Sequence, residues 1–194
     1  AERYARRNPQ AIDINRDALH LSTPEGRVLK GVRDRFQPEL GLNLHDQNRR
    51  TTVGETGVLA KIALLAVSGD AKGTLTPGRA RAKRVCSKLA RTLAPFVPGG
   101  IARYDEDWNP RAFGDNITAW GTPVVLIESG GVMPGRPLAD LTRLNYVALL
   151  AALHGLVRDD LAGETPDLYE GLKRNDDGYW TDVLLAGGRV LQPG

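Results

Sequence analysis

The chain has 194 residues, 41% hydrophobic and 25% charged, the composition of a globular protein that buries a core rather than of a disordered one. Its 26 basic and 23 acidic side chains leave a formal charge of +3, too small to be the electrostatic signature of a dedicated nucleic-acid binder. The single cysteine, Cys86, excludes an intramolecular disulfide and a thiolate zinc cluster, and no stretch reaches the roughly 18 apolar residues that span a bilayer.

In chain order, Thr23-Pro24-Glu25 predicts a helix start, with proline just inside it and a carboxylate at the positive end of the dipole; the helix runs to about Phe36 and stops before Pro38. Over residues 40–45 the period is two, which puts Leu40, Leu42 and Leu44 on one face and Asn43 and His45 on the other. The apolar run 61–67 fits strand or helix, and Gly54 and Gly57 before it lean toward strand. A helix is expected over 78–94, where Val85, Leu89 and Leu93 recur at four-residue spacing ahead of Pro95. Residues 123–127 predict a strand buried on both faces that ends abruptly at Glu128-Ser-Gly-Gly131. A second long helix is expected over 140–161, with Leu141, Leu144, Ala148, Ala152 and Leu156 as its stripe and Gly163 as its end signal. Residues 175–178 form a turn cluster, and 182–185 predict a strand entering a new unit. The reading is thus a first unit over 1–165 and, over 166–194, a linker and the start of a following element. Helices interleaved with buried strands argue for an α/β layered fold.

In such folds ligands gather outside the carboxyl ends of strands, and both His45 and Glu128 stand at such an end. A carboxylate closing five apolar residues is costly to bury unless something pairs with it or uses it, and the glycines after Glu128 let other backbone pass close by. Upstream, Asn15-Arg16 offers a planar guanidinium fork able to grip a carboxylate, with an amide beside it.

The ordered set Asp13-Ile-Asn-Arg-Asp17, Leu21-x-x-Pro-Glu25, Leu44-His-Asp46 and Glu128-Ser-Gly-Gly131 resembles the zinc carboxypeptidases of the carboxypeptidase A type, the M14 metallopeptidases, and within them a bacterial branch with the Glu-Ser-Gly-Gly context. The likeness covers residues 1–162. It implies a three-layer α/β/α fold with a mixed sheet, an incomplete version of the phosphorylase/hydrolase-like carboxypeptidase fold. It also implies a hydrolase of peptide or amide bonds near a free C-terminal carboxylate, either a carboxypeptidase or a cell-wall peptide amidase, and a periplasmic or secreted setting. Carried over residue by residue, His45 becomes a zinc ligand, Glu128 the general base, Arg16 the clamp for the substrate's terminal carboxylate with Asn15 beside it, and Arg6 or Arg7 the stabiliser of the oxyanion. A family tyrosine over the substrate has Tyr104 as its one counterpart between His45 and Glu128.

The chain departs from that pattern in one place. The family's first two zinc ligands come from a His-x-x-Glu motif upstream of the Asn-Arg pair, only 14 residues precede Asn15 here, and no such motif occurs in the sequence. His20 and His154 have no carboxylate at the required spacing. The expectation is a truncated catalytic domain whose missing N-terminal part carries the other zinc ligands, with this chain alone inactive; a relative that binds peptides without cutting them has the same sequence features. The rival reading, a nucleic-acid module, rests on Arg79, Arg81, Lys83, Arg84, Lys88 and Arg91 on one helix, a run that ordinarily forms a solvated face. Cys86, beside Val85 and Leu89, reads as a small buried side chain rather than a nucleophile. Asp105, Asp107 and Asp115 read as solvated loop acids.

Overall fold

The computed structural model describes residues 6–105, 107–130, 138–158 and 161–178. Its elements are α1 (Pro24–Phe36), β1 (Gly41–Asp46), β2 (Thr52–Val53), β3 (Ile62–Ala66), α2 (Pro77–Leu93), β4 (Ile101–Arg103), α3 (Phe113–Ala119), β5 (Val124–Ser129), α4 (Leu138–Val157), α5 (Asp167–Glu170) and β6 (Asn175–Asp176). Four strands form one mixed sheet in the order β1-β5-β3-β4, with β1 parallel to β5, β5 antiparallel to β3, and β3 parallel to β4. The fold is α/β, as the interleaved pattern predicts.

The two long caps follow from composition. Thr23 accepts a hydrogen bond from Gly26 N at 3.0 Å and Thr76 one from Arg79 N at 3.1 Å, each followed by proline, whose missing N–H is no loss in a first turn. Within 61–67, Ile62–Ala66 forms strand β3 with every position buried, which suits a central strand between two others better than a one-sided helix.

One face of the sheet holds the main core. Ile62, Leu64, Ala66, Val125 and Ile127 meet Val85, Leu89 and Leu93 of α2 and Ala148 and Ala152 of α4. Cys86 is fully buried there and desolvation pushes its thiol well up, so it is a packing residue. The opposite face is thinner. Leu65, Val67, Val124 and Leu126 are covered by Ile117 of α3 and by Tyr104, and α1 braces α3 through Lys30 over the Trp120 ring and Arg33 Nε donating to Thr122 Oγ1.

Several expectations are corrected. Residues 175–178 are not only a turn: Asn175 and Asp176 form β6, paired antiparallel with β2. Nor does a packing boundary fall at 165 among the described residues. Tyr169 of α5 is 0% exposed in the main core, its hydroxyl accepts from Ala66 N at 3.1 Å, and its own N–H donates to Ser87 Oγ. The expected strand over 182–185 lies outside the described residues. The long helix ends at Val157, and β4 and α3 were not expected. Asp115 sits in the first turn of α3, partly buried, rather than in a solvated loop. The basic run of α2 is not a free face either: Arg79 is buried and donates to the Ala66 and Gly73 carbonyls, while Arg81, Lys83 and Arg91 pair with Glu39, Glu170 and Glu164. No described helix is long and apolar enough to cross a membrane.

Candidate functional site

Register brings His45 and Glu128 together. In the parallel pair β1–β5 the two residues are partners, so their side chains leave the sheet on the same face at the carboxyl ends of both strands. His45 Nδ1 lies 3.6 Å from Glu128 Oε1. The same face carries Asn43 one step back on β1 and Leu126 on β5, the alternation that the period-two reading requires.

These residues line a cavity of about 420 Å³ shared with Arg6, Asn15, Arg16 and Tyr104. Three distant segments therefore meet at one place: the 3-10 turn at Ile14–Arg16, the end of β1 and the end of β5. The turn is held by its neighbours rather than by a long element. Asn15 Oδ1 accepts from Phe113 N at 3.1 Å, and the Arg16 carbonyl accepts from Arg111 Nε at 3.2 Å. Arg16 donates to the Asn15 carbonyl at 2.8 Å and ion-pairs with no carboxylate among the described residues. Arg6 lines the cavity and is ion-paired with Asp13 at 2.7 Å, whereas Arg7 is not among the lining residues and donates to the Ala11 carbonyl. His20 and His154 are exposed and outside the cavity.

Electrostatics set the protonation of the pair. Glu128 is 5% exposed; burial, then the like charges of Asp46 and Asp177, push its carboxyl up to about 7. Burial lowers His45; Asp46 opposes this, while Arg6 and Arg16 add to it, so the imidazole is held neutral at ordinary pH. Tyr104 is raised by burial and by Glu128, Asp105 and Asp177. A carboxyl near 7 can take up or release a proton under mild conditions, the property of a general acid–base group.

A neutral imidazole facing a cavity is also a competent metal ligand. Among the described residues, however, no three His, Cys, Asp or Glu side chains come together as a metal-holding group. His45 fits as one ligand of a zinc ion and the described residues do not complete the set.

Sequence reasoning missed the contributions of Asp46, Asp177 and Gln47. Asp46 follows His45 at the strand end, and its role needed only the register to be seen. Asp177 reaches the cavity because β6 pairs with β2 and Thr51 Oγ1 donates to its carboxylate, a contact across 126 residues with no local signal. Gln47 explains the glycine after Ser129: a Cβ on Gly130 would lie 2.6 Å from Gln47 Cγ. No protein-family model and no curated protein matches this chain.

Proposed function

We propose that this chain supplies the acid–base carboxylate, one zinc ligand and the carboxylate clamp of a metallocarboxypeptidase-type hydrolase acting on a peptide or amide bond near a free C-terminal carboxylate. The observation that carries the reading is the meeting of Glu128, His45 and Arg16 around one cavity from three segments far apart in sequence. The motif likeness supports it independently, because it nominates the same three residues from their order alone.

In this reading Arg16, with Asn15 beside it, binds the terminal carboxylate through paired N–H···O contacts and so fixes the last peptide bond at one depth in the cavity. Glu128 accepts a proton from the attacking water and passes it to the leaving amine, a task suited to a carboxyl near 7. Arg6, on the cavity wall, is placed to face negative charge developing on the carbonyl oxygen. A zinc ion held in part by His45 would acidify that water and polarise the carbonyl. The reading takes the remaining ligands from outside these 194 residues.

The test is made on a longer polypeptide in which this chain is joined to a segment bearing a His-x-x-Glu pair. Zinc-dependent release of the C-terminal residue is expected, and Glu128→Gln should lower it by about 10²–10⁴-fold while peptide binding persists. Full activity in that variant, or activity indifferent to chelation, rejects the assignment. Peptide binding with no cleavage in the wild type identifies a binding domain instead.

A further inference from the structure

The parallel strands β1 and β5 have a cavity at each end. Their carboxyl ends hold the His45–Glu128 site. Their amino ends, with Pro38 and Glu39 leading into β1 and Pro123 into β5, border a second cavity of about 670 Å³ that shares no described residue with the first. Its other wall is the first half of α2, which contributes Gly78, Arg81 and Arg84. At three-residue spacing these occupy adjoining positions on one face of the helix.

Arg84 is the residue that points to a ligand. Arg79, Arg81, Lys83 and Arg91 of the same helix have the partners given above, whereas Arg84 has neither a hydrogen bond nor an ion pair among the described residues. Its Nε is enclosed and meets no acceptor. An enclosed N–H of this kind is unfavourable until an acceptor arrives. Arg81 lines the same space, and its described partner is Glu39 at 3.0 Å, whose side chain is 73% exposed. Such a surface pair yields readily to a second anion. The start of α2 adds one more donor. Pro77 carries no N–H, Arg79 N is taken by Thr76 Oγ1 and Ala80 N by the Thr76 carbonyl, which leaves the Gly78 N–H open among them.

Two guanidinium forks and a backbone N–H around one space, with a single carboxylate at its rim, call for an anion with several oxygens. A tetrahedral phosphate accepts from several directions at once, whereas one fork already satisfies a planar carboxylate. The cavity is far larger than a bare ion and lies in the size range of small-molecule sites. Pro38, Pro77, Pro123 and Leu161 give it apolar walls on which an organic group can rest.

We infer that this second cavity binds a small phosphate monoester, with Arg84 and Arg81 holding the phosphate and the proline walls the organic group. The site uses none of the residues assigned to hydrolysis and stands independently of that reading.

The ¹⁵N-labelled 194-residue chain is titrated with phenyl phosphate at fixed ionic strength, and the Gly78 amide and Arg84 Nε–H resonances are followed by NMR. The Arg84 signal is assigned by its loss in Arg84→Met, which keeps an aliphatic stem for packing and removes the fork. Both resonances should move together and saturate. Arg84→Met should weaken binding at least about tenfold. Glu39→Gln, which releases Arg81, should strengthen it about threefold, a gain that misfolding cannot imitate. Inorganic phosphate and benzoate should each bind at least about tenfold more weakly than phenyl phosphate. Resonances that stay still, or that move only around His45, overturn the inference, as does an affinity unchanged in Arg84→Met. Benzoate binding as tightly overturns phosphate as the anion, and inorganic phosphate binding as tightly overturns the monoester.

Discussion

Two carboxylates of this protein are buried to nearly the same degree and have opposite characters. Asp17 is 6% exposed and Glu128 5% exposed. Burial acts to raise both. At Asp17 it is overcome by hydrogen bonds from the Thr23 hydroxyl and N–H, both at 2.7 Å, and from Ser22 N at 2.9 Å, so the carboxyl falls to about 2. At Glu128 no described residue offsets it: the closest described partner is the His45 imidazole at 3.6 Å, Asp46 and Asp177 add like charge, and the carboxyl rises to about 7. Local donors, not depth, decide whether a buried acid is a structural anchor or a group left able to exchange protons. Asp17 holds the turn that caps α1, and Glu128 is kept ready at the mouth of a cavity.

The largest effect expected from breaking this contrast is at the anchor. Asp17→Ala leaves the Thr23 and Ser22 donors without their acceptor and loosens the cap of α1, and should destabilise the chain by about 2–4 kcal/mol in urea unfolding. The sign with pH follows from the lowered carboxyl. The unfolded Asp17, at about 3.8, binds protons before the folded one does, so the stability it contributes is fully present above about pH 4 and is lost as pH falls toward 2. Asp17→Asn should flatten that acid limb; an unchanged limb rejects the assignment.

Glu128 should produce the reverse limb at a higher pH. Its folded carboxyl, near 7, keeps its proton while the unfolded one, near 4.5, has released it, so stability should fall as pH rises from about 4.5 to 7. In chelator-treated protein, Glu128→Gln should abolish that decline and be the more stable form at pH 8 by on the order of 2 kcal/mol. A wild-type protein whose stability is level across this window contradicts the raised carboxyl.

The unequal legibility of these two residues has a physical cause. Glu128 shows in the sequence because it interrupts an apolar run, and His45 because it falls on the polar phase of a period-two strand; both signals are local. The parallel register that makes them partners is not local, nor is the pairing of β6 with β2 that brings Asp177 to the cavity. Helix α1 was legible from its Thr-Pro start, and α2 from its apolar spacing ahead of Pro95. α3 was not, since seven residues containing Gly114 and two β-branched side chains carry too weak a pattern to separate from loop. Tyr169 was misassigned to a linker because a lone tyrosine among turn residues gives no hint that its hydroxyl accepts from Ala66 N, 103 residues away. Tyr169→Phe should cost about 1–2 kcal/mol, since it leaves that buried N–H unmet while preserving the ring's packing; a loss near zero would mean that α5 is peripheral to the core.

The smallest expected effect is also the sharpest on the origin of the contrast. If burial is the main cause at Glu128 and like charge the secondary one, Asp46→Asn removes only the secondary part. The Glu128 carboxyl, followed by ¹³C chemical shift, should then titrate lower than in the wild type yet stay above the ordinary carboxylate range. The same substitution should lower His45 further, because Asp46 is the group that raises it. Both shifts run downward although one group is an acid and the other a base, because each loses the same negative neighbour, and a protonated carboxyl and a protonated imidazole are both favoured by negative charge. A Glu128 titration that moves down while that of His45 moves up cannot come from a charge effect, and would place the difference between the two carboxylates in a rearranged cavity instead.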